Sequence, residues 1–86
     1  RGELHQVVKD LYYPQATVGR LVAIVRDVAA AAGGEVTAAR FRDATGLGRK
    51  RAIQILEYFD RVGLLRRVGD VHRLRADSAL LDEVAR

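Results

Sequence analysis

The sequence predicts an α+β domain of the winged-helix class: a three-helix bundle with a helix-turn-helix and a small antiparallel β-hairpin wing. Three observations carry this prediction. Apolar residues recur at helical spacing through Val18, Leu21, Val22, Val25, Val28, Ala29 and Ala32. Two further helical stretches are joined only by Gly46-Leu47-Gly48, a link tight enough for a helix-turn-helix. Beyond them, the short runs Leu64 to Val68 and Val71 to Leu74 flank Gly69-Asp70, with glycine first, as a type II′ hairpin turn prefers.

Taken in order, Leu4 to Tyr13 contains the β-branched pair Val7 and Val8 and ends in two tyrosines before the sole proline, Pro14, which predicts one extended strand closed by a turn. The first helix starts at Thr17 and stops at Gly33-Gly34, which supplies a left-handed terminus. Val36 is a short bridging strand residue, and Thr37 is the N-cap of a second helix that runs through Phe41 to Thr45 and ends at Gly46. The third helix is Arg49 to Val62, stopped by Gly63. The wing hairpin can pair either with the extended segment before the first helix or with the chain near Val36, and Ser78 to Ala85 can form a last short helix. The expected organisation is an N-terminal strand and inter-domain segment over 1–14, the winged helix over 15–75 and a C-terminal tail over 76–86. The first residue is Arg, not Met, so the sequence is expected to be a piece of a longer protein.

Size and charge limit what such a domain does. A chain of 86 residues buries only about 60% of its unfolded surface, enough for one small core and too little for a deep enzyme cleft. A binding module is the default. The net charge of +4 is modest, but its placement is uneven: Arg40 to Arg75 holds ten basic against four acidic residues, while Arg1 to Ala39 is balanced at four and four. The tail from Ala76 holds one basic and three acidic residues. Positive charge gathered in one stretch attracts polyanions more strongly than the same charge spread evenly, so nucleic acid outranks a small molecule as partner. With no cysteine there is neither a disulfide framework nor a thiolate metal site, which fits a reducing cytoplasm. The longest apolar stretch, within Leu21 to Gly34, is broken by Arg26 and Asp27, so no membrane span is expected.

Catalytic readings find no support. Ser78 is the only serine, and neither His5 nor His72 has a nucleophile and a carboxylate at a useful spacing. Gly46-Leu47-Gly48 before Arg49-Lys50 lacks the glycine spacing and the lysine-serine/threonine ending of a phosphate-binding P-loop. A lone His72 is no metal site, and no cofactor is expected in this chain.

In the third helix, steps of about 100° per residue place Ala52, Ile55, Leu56 and Phe59 on one buried stripe. The opposite face carries Lys50, Gln54, Glu57 and Arg61, with Arg51 and Tyr58 on one flank. Arg49, Lys50 and Arg51 stand at the helix N-terminus, where cations oppose the macrodipole, so local stability gives no reason for placing them there. Together with the unpaired backbone N–H groups they form a place for phosphate oxygens. Arg66, Arg67, His72 and Arg73 lie on the wing, where alternation sends Arg66 and Arg67 to opposite faces, so only one of that pair points at a given ligand. Arg40 and Arg42 of the second helix reach a phosphate if that helix crosses the backbone. Phe59 is core by phase, Tyr12 and Tyr13 are placed in core or inter-domain packing, and Tyr58 stays available for stacking on a base.

The polar detail of this stretch adds a resemblance. Phe41-Arg42-Asp43, the GLGRK of Gly46 to Lys50, the AIQILEYFDRVG of Ala52 to Gly63, the RRVGD of Arg66 to Asp70 and the HRL of His72 to Leu74 closely resemble the C-terminal winged-helix domain of the bacterial selenocysteine-specific elongation factors, SelB. The similarity extends back through Leu11-Tyr12-Tyr13 and the IVRDV of Ile24 to Val28, covering Leu4 to Leu74. The resemblance implies a parent protein whose GTPase portion, with GTP and Mg, carries selenocysteinyl-tRNA to the ribosome, while the last winged helix binds the selenocysteine insertion hairpin of mRNA beside an in-frame UGA codon. No GTPase motif is in this chain. By that resemblance Arg42, Arg49, Lys50 and the wing basics inherit RNA contact.

RNA makes a specific demand on such a surface. The deep, narrow major groove of A-form RNA excludes a recognition helix, so sequence is read from a loop or an extruded base while the stem is held by its phosphates. Arg49, Lys50 and Arg51 are expected to clamp the stem, with Gln54, Tyr58 or a wing residue meeting the base. A DNA-binding winged helix and a protein-interaction winged helix are the alternatives, and the chain is expected to be a cytoplasmic monomer.

Overall fold

In the computed structural model, which describes residues 4–8 and 11–75, eight elements follow one another. They are β1 (Leu4–Val8), β2 (Leu11–Pro14), α1 (Gln15–Ala31), β3 (Glu35–Val36), α2 (Ala38–Thr45), α3 (Arg49–Arg61), β4 (Leu65–Val68) and β5 (Val71–Leu74). The expected helix over Ser78 to Ala85 lies outside the described residues.

The apolar phase of the sequence becomes the core. Val18, Leu21, Val22, Val25 and Ala29 of α1 are buried against Phe41 of α2 and against Ala52, Ile55, Leu56 and Phe59 of α3. Val36, Leu64 and Leu65 close the sheet side of the same cluster, and Val7 of β1 joins it. Full burial of an aromatic or branched aliphatic side chain stabilises by about 1.5–3 kcal/mol, so these positions hold the three helices together.

The wing pairs with the chain near Val36. The sheet runs β3-β5-β4, all antiparallel, with Val36 opposite His72, and with Arg66 opposite Arg73 and Arg67 opposite His72 on the other side. Gly69 takes φ 62° at the turn, a left-handed value that glycine adopts without strain.

The N-terminal segment differs from expectation. A single strand from Leu4 to Tyr13 was the prediction, and the segment is instead an antiparallel pair, β1 with β2, in which Leu4 faces Pro14 and His5 faces Tyr13. Lys9-Asp10, between the two strands, lacks the glycine that marks a short hairpin in sequence. Pro14 then serves as the N-cap of α1 with φ −65° and ψ 157°, so the helix begins at Gln15, ahead of Thr17. No helix among the described residues is long and apolar enough to cross a membrane.

Candidate nucleic-acid interface

The turn between α2 and α3 fixes where the basic helix start lies. Thr37 caps α2 by accepting from the Arg40 N–H at 3.2 Å, and Gly46 ends it at φ 75°, its N–H donating to the Arg42 carbonyl at 2.9 Å. Thr45 completes the turn: its hydroxyl donates to the Phe41 carbonyl at 2.9 Å and accepts from the Leu47 N–H at 3.2 Å. Thr45, and Leu47 through it, are thereby tied to the backbone of the buried Phe41.

The first helical bond of α3 runs from the Ala52 N–H to the Gly48 carbonyl at 3.0 Å, which leaves the N–H groups of Arg49, Lys50 and Arg51 without an intrahelical acceptor. Gly48 offers no side-chain cap, and no acidic residue occupies the first turn. Arg49, Lys50 and Arg51 are exposed, and Gln54 is half-buried beside them. Among the described residues neither Arg49 nor Lys50 has a carboxylate within salt-bridge distance. Open N–H groups, the positive dipole end and unpaired cations thus coincide.

A shallow recess lined by Arg49, Lys50, Ile53 and Gln54 adjoins this helix start. Ile53 was not singled out from the sequence, although an apolar residue standing off the core stripe is itself the signal. Arg42 is half-buried and pairs with its neighbour Asp43 at 3.4 Å. Arg51 leans the other way, with its guanidinium donating to the Tyr13 hydroxyl at 3.5 Å.

Two expectations for aromatic and histidine contacts are corrected. Tyr58, left open to base stacking, is only 4% exposed because the β1-β2 hairpin covers that flank of α3. Its hydroxyl bonds His5 Nδ1 at 3.1 Å, while the Arg61 guanidinium lies over its ring and donates to the carbonyls of Gln6 and Val7. His72, grouped with the wing basics as an RNA contact, is 9% exposed, and its Nδ1 meets Asp60 of α3 at 2.8 Å. It acts as an internal strut between wing and helix.

The remaining wing basics separate by face. Arg67 shares the α3-facing side with His72 and folds its Nε onto the Gly69 carbonyl at 3.1 Å. Arg66 and Arg73 point to the opposite side, where Arg73 pairs with Glu35 at 3.2 Å. Asp60 lies about 16 Å along α3 from Arg49 at 1.5 Å per residue, so Arg67 and the helix start cannot hold the same phosphate.

These features sit within a known lineage. The family model for the winged helix of elongation factor SelB matches residues 27–74. The chain belongs to the SelB winged-helix family. The selenocysteine-specific elongation factor of Escherichia coli K12 is 46% identical over 83 residues, covering 96% of this chain and 13% of that protein. That of Haemophilus influenzae is 38% identical over 74 residues, covering 86% of this chain and 12% of that protein, so the chain spans about an eighth of these SelB relatives. Among solved structures, the mRNA-binding domain of E. coli elongation factor SelB in complex with SECIS RNA matches with a TM-score of 0.79 and 47% identity, covering 84% of this chain and 59% of that one. Both the winged-helix fold and the SelB resemblance seen in the sequence stand.

Proposed function

We propose that this chain is the RNA-binding module of a selenocysteine-specific elongation factor, holding the insertion hairpin of an mRNA so that selenocysteinyl-tRNA is delivered at UGA. The observation that carries the proposal is the uncapped, unpaired basic start of α3 in a chain 47% identical to a domain solved with SECIS RNA. Arg49 and Lys50, with the three open N–H groups, take stem phosphates; Arg51 supports them from the hairpin side, and Arg42 reaches from α2. The recess floored by Ile53 and edged by Gln54 fits an extruded base, offering an apolar surface to its ring and an amide to its edge. With Tyr58 and His72 buried, Gln54 is left as the base-reading side chain among those first considered on α3.

The module is a non-catalytic, cytoplasmic monomer in this reading. GTP and Mg belong to the rest of the parent protein, and ribosome and tRNA are engaged through that parent. Competition between an insertion hairpin and duplex DNA tests the proposal. Hairpin binding that survives excess duplex, and that weakens with log salt by roughly 0.7–0.9 per neutralised phosphate, supports it. Preference for duplex DNA sinks it.

A further inference from the structure

The exposed stripe of α3 that begins with cations does not stay basic. Glu57 lies seven residues beyond Lys50, a rotation about 20° short of two full turns, so it stands on the same face about 10 Å further along the helix. It is exposed, and among the described residues no cation lies within salt-bridge distance of it. Its natural partner on the helix is Arg61, because a glutamate four residues ahead of an arginine is the favoured order for such a pair. Arg61 is drawn elsewhere. Its guanidinium lies over the Tyr58 ring and donates to the carbonyls of Gln6 and Val7 of β1. A bare carboxylate is therefore left on the face that the start of α3 makes attractive to a polyanion.

That carboxylate acts differently on two shapes of nucleic acid. Along one strand of a duplex the phosphates advance by about 3.4 Å each, so a backbone that starts at Lys50 and runs on beside α3 brings its third further phosphate level with Glu57. Entering a groove does not avoid the clash. The major groove of DNA is about 12 Å wide, so a carboxylate inside it stays within about 6 Å of a phosphate row, less than the Debye length of about 8 Å at physiological salt. A hairpin held by its end is different, because a strand that turns away at a loop or an extruded base carries its next phosphates off the helix. What such a hairpin sets over the following turn, beside Ile53 and Gln54, is an uncharged base.

We infer that Glu57 is a specificity-determining residue of the RNA site, which rejects a continuous double-stranded backbone along α3 and tolerates a strand that leaves the helix after its first turn. Arg49 and Lys50 supply attraction to any polyanion, and Glu57 supplies the repulsive element that sorts one shape from another. The inference rests on the proposed function, which places the hairpin at α3, and adds how duplexes of either sugar are turned away.

The test compares E57Q and E57K with the unmodified chain in anisotropy titrations. One ligand is the insertion hairpin, and the other is a blunt RNA duplex of the same stem sequence with neither loop nor extruded base. E57Q is expected to tighten duplex binding about threefold at low salt, the effect of one unit charge about 6 Å away in water, and E57K about tenfold. Hairpin affinity should stay within about twofold. The gain for duplex should shrink as salt rises from about 0.01 M to about 0.15 M, where the Debye length falls from about 30 Å to about 8 Å. Both replacements keep good helix propensity at an exposed position, and coincident thermal melts confirm the fold. Equal tightening of both ligands overturns the inference, since Glu57 then opposes polyanions without sorting them. Unchanged duplex binding overturns it in favour of solvated surface charge, and weaker hairpin binding by E57Q overturns it in favour of a contact with base N–H groups. Failure of the hairpin to bind the unmodified chain removes the proposed function instead, and it is told apart because this inference is read first in the response of duplex binding to E57Q.

Discussion

Replacing Arg49 and Lys50 by glutamine separates the cost these residues impose on the fold from what they contribute to binding. Both are exposed in the first turn of α3, where a cation is unfavourable by about 0.3–1 kcal/mol, and exposure puts each at the lower end. Glutamine keeps length and helix propensity. The double variant is therefore expected to be more stable by about 0.6 kcal/mol, or about 2–5 °C in Tm for a domain of this size. Hydrogen bonds to charged groups are worth about 1.5–3 kcal/mol each, so losing two lowers hairpin affinity by about 100-fold or more at low salt. The slope of log K against log salt should also shrink by about 1.4–1.8. Circular dichroism melting and anisotropy titrations over a salt series measure both quantities on the same sample. Affinity within about twofold of the unmodified chain, with an unchanged slope, refutes phosphate contact by these residues. A fall in Tm refutes the reasoning from the dipole.

Other perturbations probe the supports. Y58F removes the bond to His5 Nδ1 and is expected to cost about 1 kcal/mol in urea unfolding with hairpin affinity unchanged; a loss of affinity without destabilisation would return Tyr58 to the RNA surface. D60A strands the buried His72 and should cost about 1–3 kcal/mol, whereas D43A, at an exposed pair, should cost under about 1 kcal/mol; equal effects in urea titration would remove the strut role. G46A meets no neighbour within 4 Å, so its cost is the left-handed backbone alone, about 1–2 kcal/mol, measurable as a lower melting temperature. F41A empties a fully buried aromatic site and should cost about 3–5 kcal/mol, read from the urea midpoint; a cost below about 1 kcal/mol would mean that α2 is not anchored through this ring.

Much of this architecture was legible in the chain because its signals are local and redundant. Thr37, Gly46 and Gly63 punctuate α2 and α3, and the phase of Ala52, Ile55, Leu56 and Phe59 left one solution for the buried face. The N-terminal hairpin was not legible, since Lys9-Asp10 lacks the glycine of a short hairpin turn and its contacts are made with residues some fifty positions away, as in His5 with Tyr58. That single omission propagated. With the hairpin absent, Tyr58 read as an open flank, and Arg61 read only as part of the polar face, although it ties α3 to the backbone of β1. His72 misled for a related reason: strand alternation fixes that neighbouring side chains oppose, but only the depth of the wing against α3 decides which face is inside.

Consistency between local rules and global fold is the norm, so the places where a sequence breaks a local rule without structural compensation point to function. This domain does so at the start of α3. Cations occupy the first turn of α3, where carboxylates would stabilise it. By contrast, the apparent anomalies that the fold does compensate, a buried His72 and a buried Tyr58 hydroxyl, each have a partner and need no ligand. Arg66 faces Arg73 across the strand pair, but Arg73 carries its own counter-charge in Glu35, so the uncompensated cations are those at the start of α3, where negative charge brought from outside relieves them. A polyanion held at the start of α3 accounts for that cost, and the cross-strand pair needs no second ligand to explain it.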